Sequence, residues 1–192
     1  LKRWGNWRKG LRQYEQKLYV LAPPPILPFG GKYRLINKIN QRLIARAVKR
    51  SLRRFEPGGR MDVYTFLPSA VDLLPLLNHE TVIYDCVDDH AAFTGLIDAA
   101  VIRDMEQELM AKADVCFATA KQLYQSRRNW NSNFHIIPNG AEFERFACKG
   151  GLPSVPDDVA GLTHPVAGFV GGISDWVDVG LIAAAAEAMP DV

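Results

Sequence analysis

Three adjacent residues, Asp88, Asp89 and His90, carry the side chains of this sequence best suited to work on a hydroxyl group. Carboxylates accept hydrogen bonds from sugar-like hydroxyls, and an imidazole exchanges a proton near neutral pH. The triplet follows an apolar run at residues 81–87 that reads as a strand. In open α/β sheets ligands sit beyond the carboxyl ends of strands, so these three side chains are expected at a crevice. The plainer reading has one aspartate capping the following turn and His90 as a solvated loop residue. The residues alone leave both open.

A second group is Gly171, Gly172, Ile173 and Ser174, after an apolar run at 166–170 and before a helix predicted from Asp178 to Met189. A glycine-containing strand-to-helix loop lets backbone N–H groups approach a diphosphate at the helix N-terminus. The loop is not a G-x-G-x-x-G fingerprint, and a glycine pair at such a turn also serves plain packing. Trp176 can stack on a sugar or base, or simply fill a cleft. Metal chemistry finds no support. His79, Cys86 and His90 lack a ligand spacing, and His135 and His164 stand alone. There is no Gly-x-Ser-x-Gly elbow and no His-Glu-x-x-His pair, which removes covalent-hydrolase and zinc-protease readings.

The elements that must position these groups alternate. Short strands are predicted at 18–22, 62–67, 81–87, 115–119 and 134–137, and between them lie helices at 33–55, 98–112 and around Leu123 and Tyr124. A further short helix is predicted over 73–77, interrupted by Pro75, and one helical turn over 142–146. Asp98 is a candidate N-cap for the 98–112 helix, with Val101, Ile102, Met105, Leu109 and Met110 as its apolar stripe. This order predicts an α/β fold with a parallel, Rossmann-like sheet. The 33–55 helix is expected to bury Leu35, Ile36, Ile39, Leu43, Ile44, Ala47, Val48, Leu52 and Phe55 and to carry its Arg and Lys on the opposite face.

One stretch is more specific. The strand at 134–137 runs into Pro138, Asn139 and Gly140, then Ala141, Glu142 and Phe146, then a Gly/Pro-rich passage, then Gly168, Phe169, Val170, Gly171 and Gly172. This resembles the interdomain crossing of retaining glycosyltransferases with two Rossmann-like domains (the GT-B kind), of the group 1 or family 4-like type that makes cell-surface polysaccharides. The resemblance covers most of the chain from about Leu18 onward. It implies an incomplete N-terminal acceptor-side domain at 1–146, a linker at 147–165 and the first β-α unit of a nucleotide-sugar-binding domain at 166–192. By resemblance, Asp89 and His90 are catalytic, with Asp88 joining them on the acceptor, and Gly171, Gly172, Ile173 and Trp176 lie near the donor. A nucleotide-sugar is then the donor, a sugar or lipid-linked molecule the acceptor, and neither a cofactor nor a metal is required. Many relatives place an Arg just after the glycine pair and a Lys soon after. This sequence has Asp175, Trp176 and Asp178 there, which weakens the case for tight diphosphate binding.

Composition sets the bounds. Hydrophobic content of 48% is ample for a packed core and excludes a globally disordered chain. The net charge of +2 hides an asymmetry: residues 1–60 hold 16 Lys/Arg against Glu15 and Glu56, a balance of +14, and the remainder balances at −12. The basic stretch 34–54 suits a solvated helix back, an anionic membrane surface or, with no accompanying motif, nucleic acid, which is not expected. A non-catalytic surface-binding module is therefore the alternative function. A nucleotide-dependent oxidoreductase is disfavoured for want of a dinucleotide fingerprint. Cys86, Cys116 and Cys148 form no C-x-x-C pair and read as free thiols in a reducing compartment. No signal peptide or membrane-spanning run is evident, so a cytoplasmic protein is expected, with contact to the inner face of the plasma membrane as an option. Leu1 is not a start methionine and the last residues stop where a strand is due, so a piece of a longer protein, inactive alone, is expected.

Overall fold

A computed structural model describes residues 7, 8, 10–55, 61–147, 151, 154–162 and 165–190. Cys148 and His164, both singled out above, lie outside the described residues, as does the helix-ending stretch 57–59. The chain divides into two compact units, Leu1–Asn139 and Gly140–Val192.

The first unit is built on a four-stranded parallel sheet: β3 (Val63–Thr65), β4 (Val82–Cys86), β5 (Val115–Ala118) and β6 (Phe134–Ile136), in that order. Its strands are short and apolar, and each returns through a crossover containing helical turns, the arrangement of a Rossmann-like α/β fold. Register pairs Tyr84 with Cys116 and Cys116 with Phe134, so Val82, Tyr84, Cys86, Cys116, Ala118 and Phe134 share the buried face. The helix α2 (Ala99–Lys112) covers that face. Ile102, Met105, Leu109 and Met110 recur at the three- and four-residue steps of one helix face and are buried against the strands. Asp98 caps α2 as expected, its carboxylate accepting from the N–H of Ala100 (2.9 Å) and Val101 (3.3 Å). The predicted 73–77 helix is instead two 3-10 turns, Pro68–Asp72 and Leu74–Leu76, with Pro68 and Pro75 at their starts, and α3 (Lys121–Arg127) follows β5.

Two expectations for this unit are corrected. The apolar run at 18–22 is not part of the parallel sheet. It forms β2 (Leu18–Leu21), paired antiparallel with β1 (Leu11–Glu15) in a separate two-stranded hairpin. The helix α1 (Arg34–Leu52) exists, and Ile36, Leu43, Ile44, Ala47 and Val48 of the expected stripe are half-buried, but polar residues lead its docking face and the two ends of the stripe stay exposed. Its buried residues are Asn37, Asn40, Gln41 and Ala45, whereas Leu35 is 69% and Ile39 is 37% exposed. The reason lies in what faces it. Loop 23–31 and the 3-10 turn Pro68–Asp72 offer backbone groups that need partners. Asn40 meets the Leu27 peptide from both sides, accepting from its N–H (2.8 Å) and donating to its carbonyl (2.9 Å). Asn37 donates to the Ser69 carbonyl (3.0 Å) and to Asp72 (2.7 Å), and Arg34 grips the Asp72 carboxylate through Nε and Nη2 at 2.7 and 2.9 Å.

In the second unit, α4 (Phe143–Phe146), α5 (Asp157–Ala160) and α6 (Val179–Ala188) are present. Asp178 caps α6 by accepting from the Leu181 N–H at 2.9 Å. The run at 166–170, expected as a strand, pairs with no other strand among the described residues, and Val170 is fully exposed. An extended segment without a ladder partner leaves its peptide groups to solvent.

Candidate functional site

Asp88, Asp89 and His90 sit together at the carboxyl end of β4, where sequence placed them. Asp88 and Asp89 are exposed and His90, half-buried, opens the 3-10 turn His90–Ala92. Asp89, at the N-cap position of that turn, makes no side-chain cap bond to it. Each of the two later residues is held. His90 Nε2 lies 2.9 Å from the Phe66 carbonyl oxygen. A carbonyl only accepts, so Nε2 carries the hydrogen, and the lone pair of the neutral ring is on Nδ1. The imidazole also meets the edge of Phe93, with ring centres 5.3 Å apart. Asp89 Oδ1 accepts from Arg127 Nη2 at 2.8 Å.

Behind Asp89 lies a buried polar cluster that sequence reasoning missed. Arg127 is 5% exposed and Glu106 0%. Glu106 Oε1 accepts from Arg127 Nε (2.8 Å), Tyr84 Oη (2.9 Å) and Cys86 Sγ (3.3 Å), and Oε2 is buried with no hydrogen-bond partner among the described residues. Burial pulls the Arg127 guanidinium down, but the hydrogen bond and charge of Glu106 more than reverse this, so it is firmly a cation. Burial first, then the Glu106 carboxylate, push the Cys86 thiol up to about 12. Burial, with Cys86 and Glu106 beside it, raises the Tyr84 phenol far above its usual range. These two are neutral donors at any ordinary pH, and the thiol is no nucleophile.

A signal for this cluster did exist. Glu106 falls within the buried stripe of α2, between Met105 and Leu109. Arg127 is four residues after Leu123 and three after Tyr124, both packed on the core. Opposite charges on two core-facing stripes that cover the same sheet face mark a buried pair, because neither is stable there alone.

Gly171, Gly172, Ile173 and Trp176 lie in the second unit, on the exposed loop ahead of α6. Trp176 is 77% exposed, so it is not a packing residue of its own unit. A Cβ at Gly172 meets nothing within 4 Å, whereas one at Gly171 comes 3.1 Å from the Phe169 ring. The N-terminus of α6 already holds the Asp178 carboxylate, which resolves why an acid stands there: it is the cap. Among the described residues, no group of three His, Cys, Asp or Glu is arranged to hold a metal ion, and no helix is long and apolar enough to cross a membrane.

No family model matches the chain. A curated protein of Bacillus subtilis (strain 168), named "Putative teichuronic acid biosynthesis glycosyltransferase TuaH", is 29% identical to it over 139 residues. That match takes in 67% of this chain and 34% of the relative, so the chain spans about a third of the length of the protein it resembles.

Proposed function

We propose that this chain is part of a retaining glycosyltransferase of the two-Rossmann-domain kind, moving a hexose from a nucleotide-sugar to an acceptor hydroxyl in cell-surface polysaccharide or glycolipid synthesis at the cytoplasmic side. The observation that carries the reading is the pairing of His90 and Asp89 at the carboxyl end of β4, one fixed by Phe66 and the other by Arg127. The similarity to a named glycosyltransferase supports it. Asp88 and Asp89 accept from acceptor hydroxyls, and His90 Nδ1 is the ring nitrogen left to take a hydrogen bond from the attacking one.

In the transfer, the bond between the anomeric carbon and the donor phosphate oxygen breaks as the acceptor oxygen bonds to the same face of that carbon. The acceptor proton leaves with the nucleoside diphosphate. The chain's residues orient and hydrogen-bond, and no metal or cofactor is invoked. Gly171, Gly172, Ile173 and Trp176 are assigned to the donor, the loop backbone toward the diphosphate and the indole toward base or sugar.

The test is a titration of the isotope-labelled 192-residue chain with methyl glycosides of neutral, amino and acidic hexoses, followed by NMR. Saturable shifts at the amides of Asp88–His90 and at the His90 ring, abolished by Asp89→Asn, are expected for at least one sugar class. Absence of saturable shifts at these residues for every class, with the fold intact, would sink the assignment.

A further inference from the structure

The amide-mediated docking of α1 has a consequence for the other side of that helix. With Asn37, Asn40, Gln41 and Ala45 turned inward, Leu35, Lys38, Ile39, Arg42, Arg46 and Lys49 are all exposed. Their spacing of three, one, three, four and three residues lays them along one helical face. Arg50 and Arg53, also exposed, extend it, and the helix contains no acidic residue. Arg34 is engaged with the body, on Asp72 and Glu108, and lies outside this set. Tyr33, just before the helix, is 52% exposed, with the Lys32 ammonium 5.7 Å from its ring centre.

We propose that this face of α1 docks on a bilayer rich in anionic phospholipid, with the cations on headgroup phosphates and Leu35 and Ile39 in the acyl boundary. Charge complementarity selects a polyanionic surface, and each Lys or Arg near such a leaflet contributes roughly a fivefold gain in partitioning. The two aliphatic side chains choose between polyanions. A nucleic acid backbone gains nothing from an exposed Leu and Ile set among the cations, whereas an interfacial helix buries them a few ångströms below the phosphates. The proposal goes beyond the glycosyl-transfer reading and does not depend on it.

The experiment is co-sedimentation of the 192-residue chain with vesicles of phosphatidylcholine alone or containing roughly one-third phosphatidylglycerol, across a salt series, with no sugar or nucleotide present. Failure of the glycosyl reading therefore leaves its outcome unchanged. Binding to the mixed vesicles is expected to fall with salt. Lys38→Gln/Arg42→Gln/Arg46→Gln/Lys49→Gln weakens it by about a hundredfold or more. Leu35→Ser/Ile39→Ser, which touches no charge, weakens it by about tenfold. The proposal is overturned by equal binding to both vesicle types, by none to either, or by a Leu35→Ser/Ile39→Ser variant that binds like the parent. It is also overturned if a single-stranded RNA homopolymer is bound in preference to the mixed vesicles.

Discussion

Arg127 places Nη2 2.8 Å from Asp89 Oδ1 at the rim of the sheet, and its Nε contacts the fully buried Glu106 from the same plane, also at 2.8 Å. One rigid guanidinium therefore ties an exposed carboxylate at the candidate site to the centre of the core. Removing the cation alone strands Glu106. Arg127→Met is expected to destabilise the chain by about 3–5 kcal/mol, while Glu106→Leu/Arg127→Met, which removes both charges, costs much less. Urea unfolding of the two single variants and the double variant measures this. Additive losses would mean that the pair is not coupled in the way its geometry states.

A second expectation concerns the approach of loop 23–31 to α2. Asp98 donates its backbone N–H to the Gly31 carbonyl at 3.0 Å, and a Cβ at Gly31 would lie 2.8 Å from Ile97 Cγ2. A β-branched side chain cannot swing that methyl away freely. Gly31→Ala is expected to lose about 1–3 kcal/mol, whereas Gly172→Ala, in open space, stays within about 0.5 kcal/mol in the same denaturant assay.

How far such features were legible differs from element to element. The stripe of α2 and its Asp98 cap were plain, because burial against a sheet repeats every three or four residues and a cap sits next to the first turn. The polar part of the face by which α1 docks was not, because Asn37, Asn40 and Gln41 look like solvent residues until the Leu27 and Ser69 peptide groups opposite them are known. The run at 18–22 reads as one more strand of the alternating series because a short apolar stretch does not announce its pairing partner, here β1. Of the candidate site, Asp88–His90 was visible at the end of an apolar run. Arg127 was not, since it comes 38 residues after Asp89. Its only local mark is a charge on a core-facing stripe.

The alkaline limb of stability carries a clear sign. Burial raises the thiols of Cys86 and Cys116 from 9.0 to about 12, with Glu106 adding to the first. A folded-state value above the unfolded one means that the contribution is whole below about pH 9 and is lost as pH climbs toward 12. Between these limits the unfolded chain has released protons that the folded chain retains. Each thiol then lowers the unfolding free energy by about 1.4 kcal/mol per pH unit. Cys116→Ala should show a slope shallower by one proton over pH 9–12 than the parent in denaturant titrations. Parallel slopes would mean that Cys116 is no more protected in the fold than outside it.

The loop ahead of α6 gives the sharpest separation of binding from folding. Trp176 stands exposed on the same loop as Gly171 and Gly172, and Asp178 places its carboxylate on the Leu181 N–H at the helix N-terminus. A diphosphate held here would meet that carboxylate at the helix N-terminus, so the loop's own peptide groups are the donors it would be expected to use. A nucleoside diphosphate such as UDP is expected to quench Trp176 fluorescence saturably. If the phosphates lie on the loop backbone as proposed, a methyl group at Gly172 would stand between the two, so Gly172→Ala should weaken that quenching by about tenfold with unfolding unchanged. Trp176→Phe should lose the signal but retain UDP binding by calorimetry if the diphosphate supplies most of the affinity, and lose both if stacking does. Saturable UDP binding that Gly172→Ala leaves untouched would move the donor site away from this loop, because nothing else at Gly172 distinguishes glycine from alanine.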